Sequence, residues 1–241
     1  MKTEPTLVMI PCFSGAPWQL NELTYLQSRP MRTLRLPDDV CELDTLADFI
    51  ADQVKDLESY VLVGDSYGAV ASIAFATRQP KGLKGLVLSG GFAKNPITSP
   101  LLKTMGALVA FFPGAFYRQG TLRFHAAQLA SSFDKEGEIP WSTAKSRALF
   151  IKETSHQAYV NRIRSIEKAD YTALLKKIDV PTLILTPEED KLIGEEAAGI
   201  LRQGIKASQE VIMPRTGHMF RFSHPGTYSL EIRKFLERAS L

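Results

Sequence analysis

The chain is poor in cysteine and histidine, with two of the first and four of the second in 241 residues. Cys12 and Cys41 form no Cys-x-x-Cys pair and stand near no histidine cluster, so no zinc or other metal site is expected. Two thiols are too few for a disulfide framework in a chain of this size and point to a reducing compartment. A secretory leader is lacking too. The opening MKTEPTLVMIPCFSG has an acid and a proline where a leader needs a basic start and a longer apolar run. No stretch approaches the ~20 apolar residues of a membrane span. Excess charge is scarce, at +3 net, and no Lys/Arg cluster carries interleaved aromatics, which leaves nucleic-acid binding unsupported. The nearest candidate, RPMRTLR from Arg29 to Arg35, alternates charged and apolar residues as a half-buried strand does. The expectation is a cytoplasmic protein with no nucleic-acid partner.

What is present is an ordinary globular composition, 44% hydrophobic and 23% charged, at a length that fits one domain, or one domain carrying an insertion. Strand-like runs recur at 6–11, 31–36, 60–63, 85–89, 182–186 and 208–213. Several are continuous apolar runs, as expected of strands covered on both faces. Helical spacing appears between them. Leu43, Leu46, Ala47, Ile50, Val54 and Leu57 make one apolar face with Asp44 as its expected cap, and 67–78 and 225–238 read as further helices. This alternation predicts an α/β fold, a mostly parallel sheet of about six strands with helices on both faces. It breaks once. Residues 95–170 hold no convincing strand but four helix-like pieces (101–112, 122–131, 142–152 and 156–167), and are read as a helical insertion between core segments 1–94 and 171–241.

The stretch LVGDSYGA places Ser66 between Gly64 and Gly68. By composition alone the pattern is weak. Its context strengthens it, because an apolar strand precedes it and a helix follows. That turn would hold Ser66 in a strained conformation at a helix N-terminus, where side chains in place of the glycines would collide with neighbouring backbone. A serine hydroxyl needs a base. Of His125, His156, His218 and His224, only His218 falls in a loop after the last strand, where parallel sheets place their chemistry. His125 and His156 lie in helical patterns, and His224 leads into the final helix. A carboxylate to orient the base comes from the loop after strand 182–186, which carries Glu188, Glu189 and Asp190. Asp190 is the best placed, and the other two read as a solvated acidic turn. The chain order is Ser66, Asp190, His218.

With these motifs in this order, the chain resembles the α/β-hydrolase superfamily, in its compact cap-bearing form of esterases, thioesterases and enol-lactonases. The resemblance spans nearly the whole length and implies acyl transfer from Ser66 without a metal or organic cofactor. It implies that 95–170 is the cap, and that the backbone N–H groups of Phe13 and Tyr67 form an oxyanion hole, with Ser14 as the alternative to Phe13. It implies a small to medium apolar ester, thioester or lactone as substrate. Three departures stand out. Cys12 replaces an expected glycine and is read as a small buried thiol rather than as a second nucleophile. Asp65 precedes the serine, where it is expected to turn away from a developing oxyanion. The first hairpin of the family is missing or vestigial. Trp18, Phe111, Phe112, Phe116 and Trp141 are the expected pocket residues. Arg118, Arg123, Lys145, Arg147, Lys152, Arg162 and Arg164 read as a solvated basic face, or as a dock for an acidic partner such as an acyl carrier protein. The same triad would also serve a cofactor-free lyase, or a ligand-sensing protein that hydrolyses slowly.

Overall fold

The computed structural model describes residues 4–241. Its centre is one sheet of six parallel strands: β1 (Thr6–Ile10), β2 (Met31–Thr33), β3 (Tyr60–Asp65), β4 (Leu83–Ser89), β5 (Thr182–Glu189) and β6 (Ser208–Gly217). The strand order is β2-β1-β3-β4-β5-β6. The chain therefore winds outward from β1 to one edge, returns past it through β3, and continues to the other edge. That reversal opens a crevice beyond the carboxyl ends of β1 and β3, where such sheets bind ligands.

The near-continuous apolar runs are explained by two hydrophobic layers. Val8, Ile10, Leu62, Leu86, Leu88 and Ile184 pack on one face against α1 (Leu43–Val54), α2 (Tyr67–Ala76) and later helices of that side. Their neighbours Leu7, Met9, Val61, Val63, Val87, Leu183 and Leu185 pack on the other. With a two-residue side-chain period, covering both faces requires apolar residues at every position. All ten residues of α2 are buried, so this helix shows no amphipathic stripe and was recognisable only by its place after β3.

Between β4 and β5 lie α3 (Pro100–Leu108), α4 (Leu122–Gln128), α5 (Thr143–Glu153) and α6 (His156–Glu167), with a π-helical turn at Tyr117–Thr121. Ser99, Ser142 and Ser155 cap α3, α5 and α6 by accepting from backbone N–H groups three residues on. Lys94 and Asp170 pair in an isolated antiparallel bridge that draws the two ends of this stretch together. After β5 come α7 (Glu195–Gly204), the short α8 (Phe220–Ser223) and α9 (Pro225–Arg238).

One local expectation is corrected. Asp44 does not cap α1. Glu42 occupies that position without a side-chain bond, and Asp44, two residues further on, accepts from the Tyr171 hydroxyl at 3.1 Å.

α9 covers the second face through Tyr228, Ile232, Phe235 and Leu236, all essentially without exposure. Phe235→Ala is expected to lower stability by about 3–5 kcal/mol, read as a reduced midpoint in urea unfolding. A loss below about 1 kcal/mol would mean that α9 does not seal this face.

Candidate active site

Gly64 is the last residue but one of the fully buried β3, and Ser66 stands before the first turn of α2. Ser66 has φ 54° and ψ −111°, a left-handed conformation that a residue with a side chain adopts at a cost of about 1–3 kcal/mol. The flanking glycines make it attainable. A Cβ on Gly64 would lie 2.5 Å from the Gly68 carbonyl oxygen, and one on Gly68 would lie 2.4 Å from that of Ile10. β3 and α2 can approach each other and β1 this closely only without those side chains.

His218 follows β6 and Asp190 follows β5, so three separate strand ends converge. The His218 Nδ1–H donates to Asp190 Oδ2 at 2.7 Å, and Nε2 lies 2.9 Å from Ser66 Oγ. With Nδ1 carrying the proton for the carboxylate, Nε2 is left as acceptor of the serine hydroxyl. Asp190 is fixed in turn: its Oδ1 accepts from the Leu192 and Ile193 N–H groups, each at 3.0 Å. Burial would raise the Asp190 carboxyl, but the attraction and hydrogen bond of His218 and the two amides hold it below its ordinary value. Burial likewise works to lower His218, and the Asp190 charge and hydrogen bond, with Asp65 and Asp134 behind them, raise it instead. Such a histidine is a stronger base than one in water.

The two remaining acids, expected in a solvated turn, instead form the end of β5 and are occupied elsewhere. Glu188 accepts from the Arg215 backbone N–H, and Glu189 from the Ser131 hydroxyl. Of the other histidines, His156 donates from Nε2–H to the Val109 carbonyl oxygen at 2.8 Å. His224 stands at the N-cap of α9.

A turn closed by the Gly15 N–H on the Cys12 carbonyl (2.9 Å) follows β1. Phe13 and Ser14 are its central residues, so their N–H groups take no part in the turn's own hydrogen bond. Tyr67 supplies the first N–H of α2. Both stretches are held by α6. Arg162 donates to the Phe13 carbonyl at 2.9 Å and to Asp38 Oδ1 at 3.2 Å. Ser165 gives its proton to the Arg162 carbonyl and accepts from the Tyr67 hydroxyl at 2.8 Å. Thr154, just after α5, donates to the Ser14 carbonyl at 3.2 Å. Cys12 is buried, with Sγ 3.4 Å from Ser14 Oγ.

Ser66, His218, Cys12, Phe13 and Tyr67 open into a cavity of about 410 Å³ whose other walls are nearly all apolar, among them Phe92, Leu102, Val109, Phe150, Ile163 and Met219. Phe112 and Phe116 line it. Trp18, Phe111 and Trp141 do not, and the expectation for these three is corrected. Trp18 lies on the opposite face of the sheet against Tyr228. Trp141 packs on Phe222 and donates to Ser146. Phe111 is 75% exposed. Aromatic richness marks the segment that walls the cavity, but not the direction each ring faces.

The wall also holds His125, stacked on Phe13 with centroids 5.1 Å apart and 3.1 Å from the Tyr159 hydroxyl. Burial, and then the neighbouring His218, push this ring down to about 4, so it is neutral near pH 7. Among the described residues no group of three or more His, Cys, Asp or Glu side chains is arranged to hold a metal ion.

Two charged residues were misread or missed. Arg162 belongs to no solvated face: it is 1% exposed, and its spacing on α6 carries no sign of that. Asp65 turns its carboxylate to Arg221, whose Nε donates to Oδ2 at 2.6 Å. The Arg221 guanidinium lies over the Trp18 and Phe222 rings, 4.2 and 3.8 Å from their centroids. An acid inside so apolar a strand was itself a sign that a buried cation had to exist. Arg221→Met would leave Asp65 buried without a partner, at an expected cost of about 3–5 kcal/mol in denaturant unfolding. The double variant Asp65→Asn with Arg221→Met should lose clearly less than the two single losses added together. Simple additivity would mean that the pair is not coupled.

A family model described as "Serine aminopeptidase, S33" matches residues 30–220. A proline iminopeptidase of Saccharolobus solfataricus is 25% identical over 208 residues, 77% of this chain and 64% of that protein's length. A pimeloyl-acyl-carrier-protein methyl ester esterase of Neisseria meningitidis is 26% identical over 202 residues, 81% of this chain and 76% of that one. A hydrolase from Pseudomonas aeruginosa superposes with a TM-score of 0.82 at 15% identity, covering 98% of this chain and 91% of its own. At that identity the likeness is one of fold.

Proposed function

The chain belongs to the serine aminopeptidase family of hydrolases, within the α/β-hydrolase superfamily, and on that footing we propose that it cleaves a carboxylic ester, thioester or lactone of an apolar acyl group through an acyl-enzyme on Ser66. The observation that carries the reading is the Ser66–His218–Asp190 relay opening into a large apolar cavity. Ser66 Oγ attacks the acyl carbon as its proton passes to His218 Nε2. The tetrahedral oxyanion is received by the Phe13 and Tyr67 N–H groups, each donor of this kind contributing about 2.7–4 kcal/mol in comparable sites. Collapse expels the alcohol or thiol, protonated by His218. The same ring then deprotonates the water that releases the acid. Asp190 keeps the imidazole in the productive tautomer and balances its charge. Residues 95–170 act as the cap that excludes water from this step.

Ester cleavage is favoured over removal of an N-terminal residue by the charges of the cavity. An aminopeptidase must bind a substrate ammonium, which needs a free carboxylate. Of the two carboxylates on the wall, Asp65 is committed to Arg221, and Glu167 sits exposed at the rim. The Neisseria relative is by name an esterase.

With p-nitrophenyl esters, kcat/KM is expected to rise from acetate toward medium chain lengths and to fall at least about 10³-fold in Ser66→Ala. Activity equal in both proteins would reject Ser66 as nucleophile. The base must be neutral, and its pKa is raised, so activity should be lost as pH falls through a midpoint above the ordinary imidazole value of about 6.5. A midpoint below that value would contradict the charge balance described for His218.

A further inference from the structure

The helix α3 is in an unusual situation for a water-soluble surface. Leu102 and Gly106, with Val109 just past the end of the helix, recur on its inner side, where Leu102 and Val109 wall the cavity and Gly106 faces Ile163 of α6. Leu101, Met105 and Leu108 recur at the same spacing on its outer side and are 68%, 38% and 47% exposed. No residue of α3 is buried. Together the two rows form one broad apolar arc, with Lys103 and Thr104 on the remaining side, and the outer row of that arc is left uncovered. The stripe continues past the helix through Phe111, Phe112 and Phe116, the last two with ring centroids 5.0 Å apart. Among the described residues nine large hydrophobic side chains are exposed, and only Tyr25 and Ile212 lie outside residues 101–124. Scattered exposed apolar residues need no explanation, whereas a patch concentrated in one segment marks an interaction surface.

Two further features identify the occupant. Met105, Leu108, Phe112, Phe116 and Phe124 are both exposed and part of the cavity wall, so the outer patch is continuous with the apolar path to Ser66. The chain also contains no Asp or Glu between Ser66 and Phe133, while Lys103, Arg118 and Arg123 stand exposed around the patch. Apolar and aromatic tips fringed by cations, with no acid in the segment itself and Glu167 the one exposed carboxylate of the cavity wall among the described residues, are complementary to a surface of acyl chains under anionic headgroups.

We propose that the outer face of α3 and the Phe111–Phe116 turn dock on an anionic lipid surface, and that the ester reaching Ser66 enters from that surface. The docking stands on the patch alone. The identification of the substrate as a lipid-partitioned ester rests on the hydrolase reading above. Among the described residues no helix is long and apolar enough to cross a membrane, so the association is peripheral, with side chains entering the headgroup region.

The test is co-sedimentation with vesicles of phosphatidylcholine alone and of phosphatidylcholine mixed with phosphatidylglycerol, at low and high salt. Beside it runs turnover of soluble p-nitrophenyl butyrate. The wild-type protein should bind the mixed vesicles and bind them more weakly as salt rises. Leu101→Ser with Phe111→Ser, two positions outside the cavity wall, should weaken vesicle binding about tenfold or more while butyrate turnover is unchanged. Lys103→Glu with Arg118→Glu should abolish the preference for anionic vesicles. Failure of the wild type to bind either vesicle, or full binding by the Leu101/Phe111 variant, would overturn the proposal. So would a dimer in gel filtration that this variant dissolves without any vesicle binding, because the patch would then belong to a second copy. Vesicle binding without turnover of any ester would leave the docking surface in place and reject the hydrolase reading instead.

Discussion

The backbone at Ser66 is the constraint on which the remainder of the structure depends. Its positive φ is unfavourable for a serine, and it persists because β1, β3 and α2 meet at distances that admit no side chain at Gly64 or Gly68. The apolar layers on both faces of the sheet hold these elements together, and the burial of every residue in α2 is the visible result. The strain is thus sustained by the cohesion of the core. In return the hydroxyl stands clear of the strand end, at the helix N-terminus, within reach of His218.

Charge around that serine is arranged in closed pairs. Asp190 faces His218, Asp65 faces Arg221, and Arg162 is spread over the Phe13 carbonyl and Asp38. The Asp190, Asp65 and Arg162 charges are thus each compensated where they are buried. Arg162 and Ser165 lie one turn apart on α6 and hold the two turns that carry Phe13 and Tyr67. The helical stretch between β4 and β5 therefore does more than wall the cavity, because it also holds the Phe13 carbonyl and the Tyr67 hydroxyl.

Much of this was legible in the sequence, for identifiable reasons. The six strands announced themselves through continuous apolar runs, which only a doubly covered sheet requires. Strand, small-residue turn and helix at 60–78 fixed the surroundings of Ser66, and position after a strand distinguished His218 and Asp190 from their competitors. The structure brings those three side chains together. Long-range pairing was not legible. Arg162 and Arg221 look like ordinary surface cations in the sequence, because a partner 124 or 156 residues away leaves no local pattern. Ring direction was equally hidden: Phe111 and Phe112 are neighbours, yet only the second faces the cavity. Asp44 failed as a cap because the helix begins two residues earlier than its side chain would need.

The central claim is that Ser66 is made nucleophilic by His218 and sits in an apolar, accessible site. Reaction of the folded protein with an alkyl fluorophosphonate, followed by mass spectrometry of the peptides, tests it most directly. The account predicts a single adduct on Ser66, absent from Ser66→Ala and formed far more slowly in His218→Ala. Labelling of another residue, or labelling of Ser66 at the same rate without His218, would contradict it.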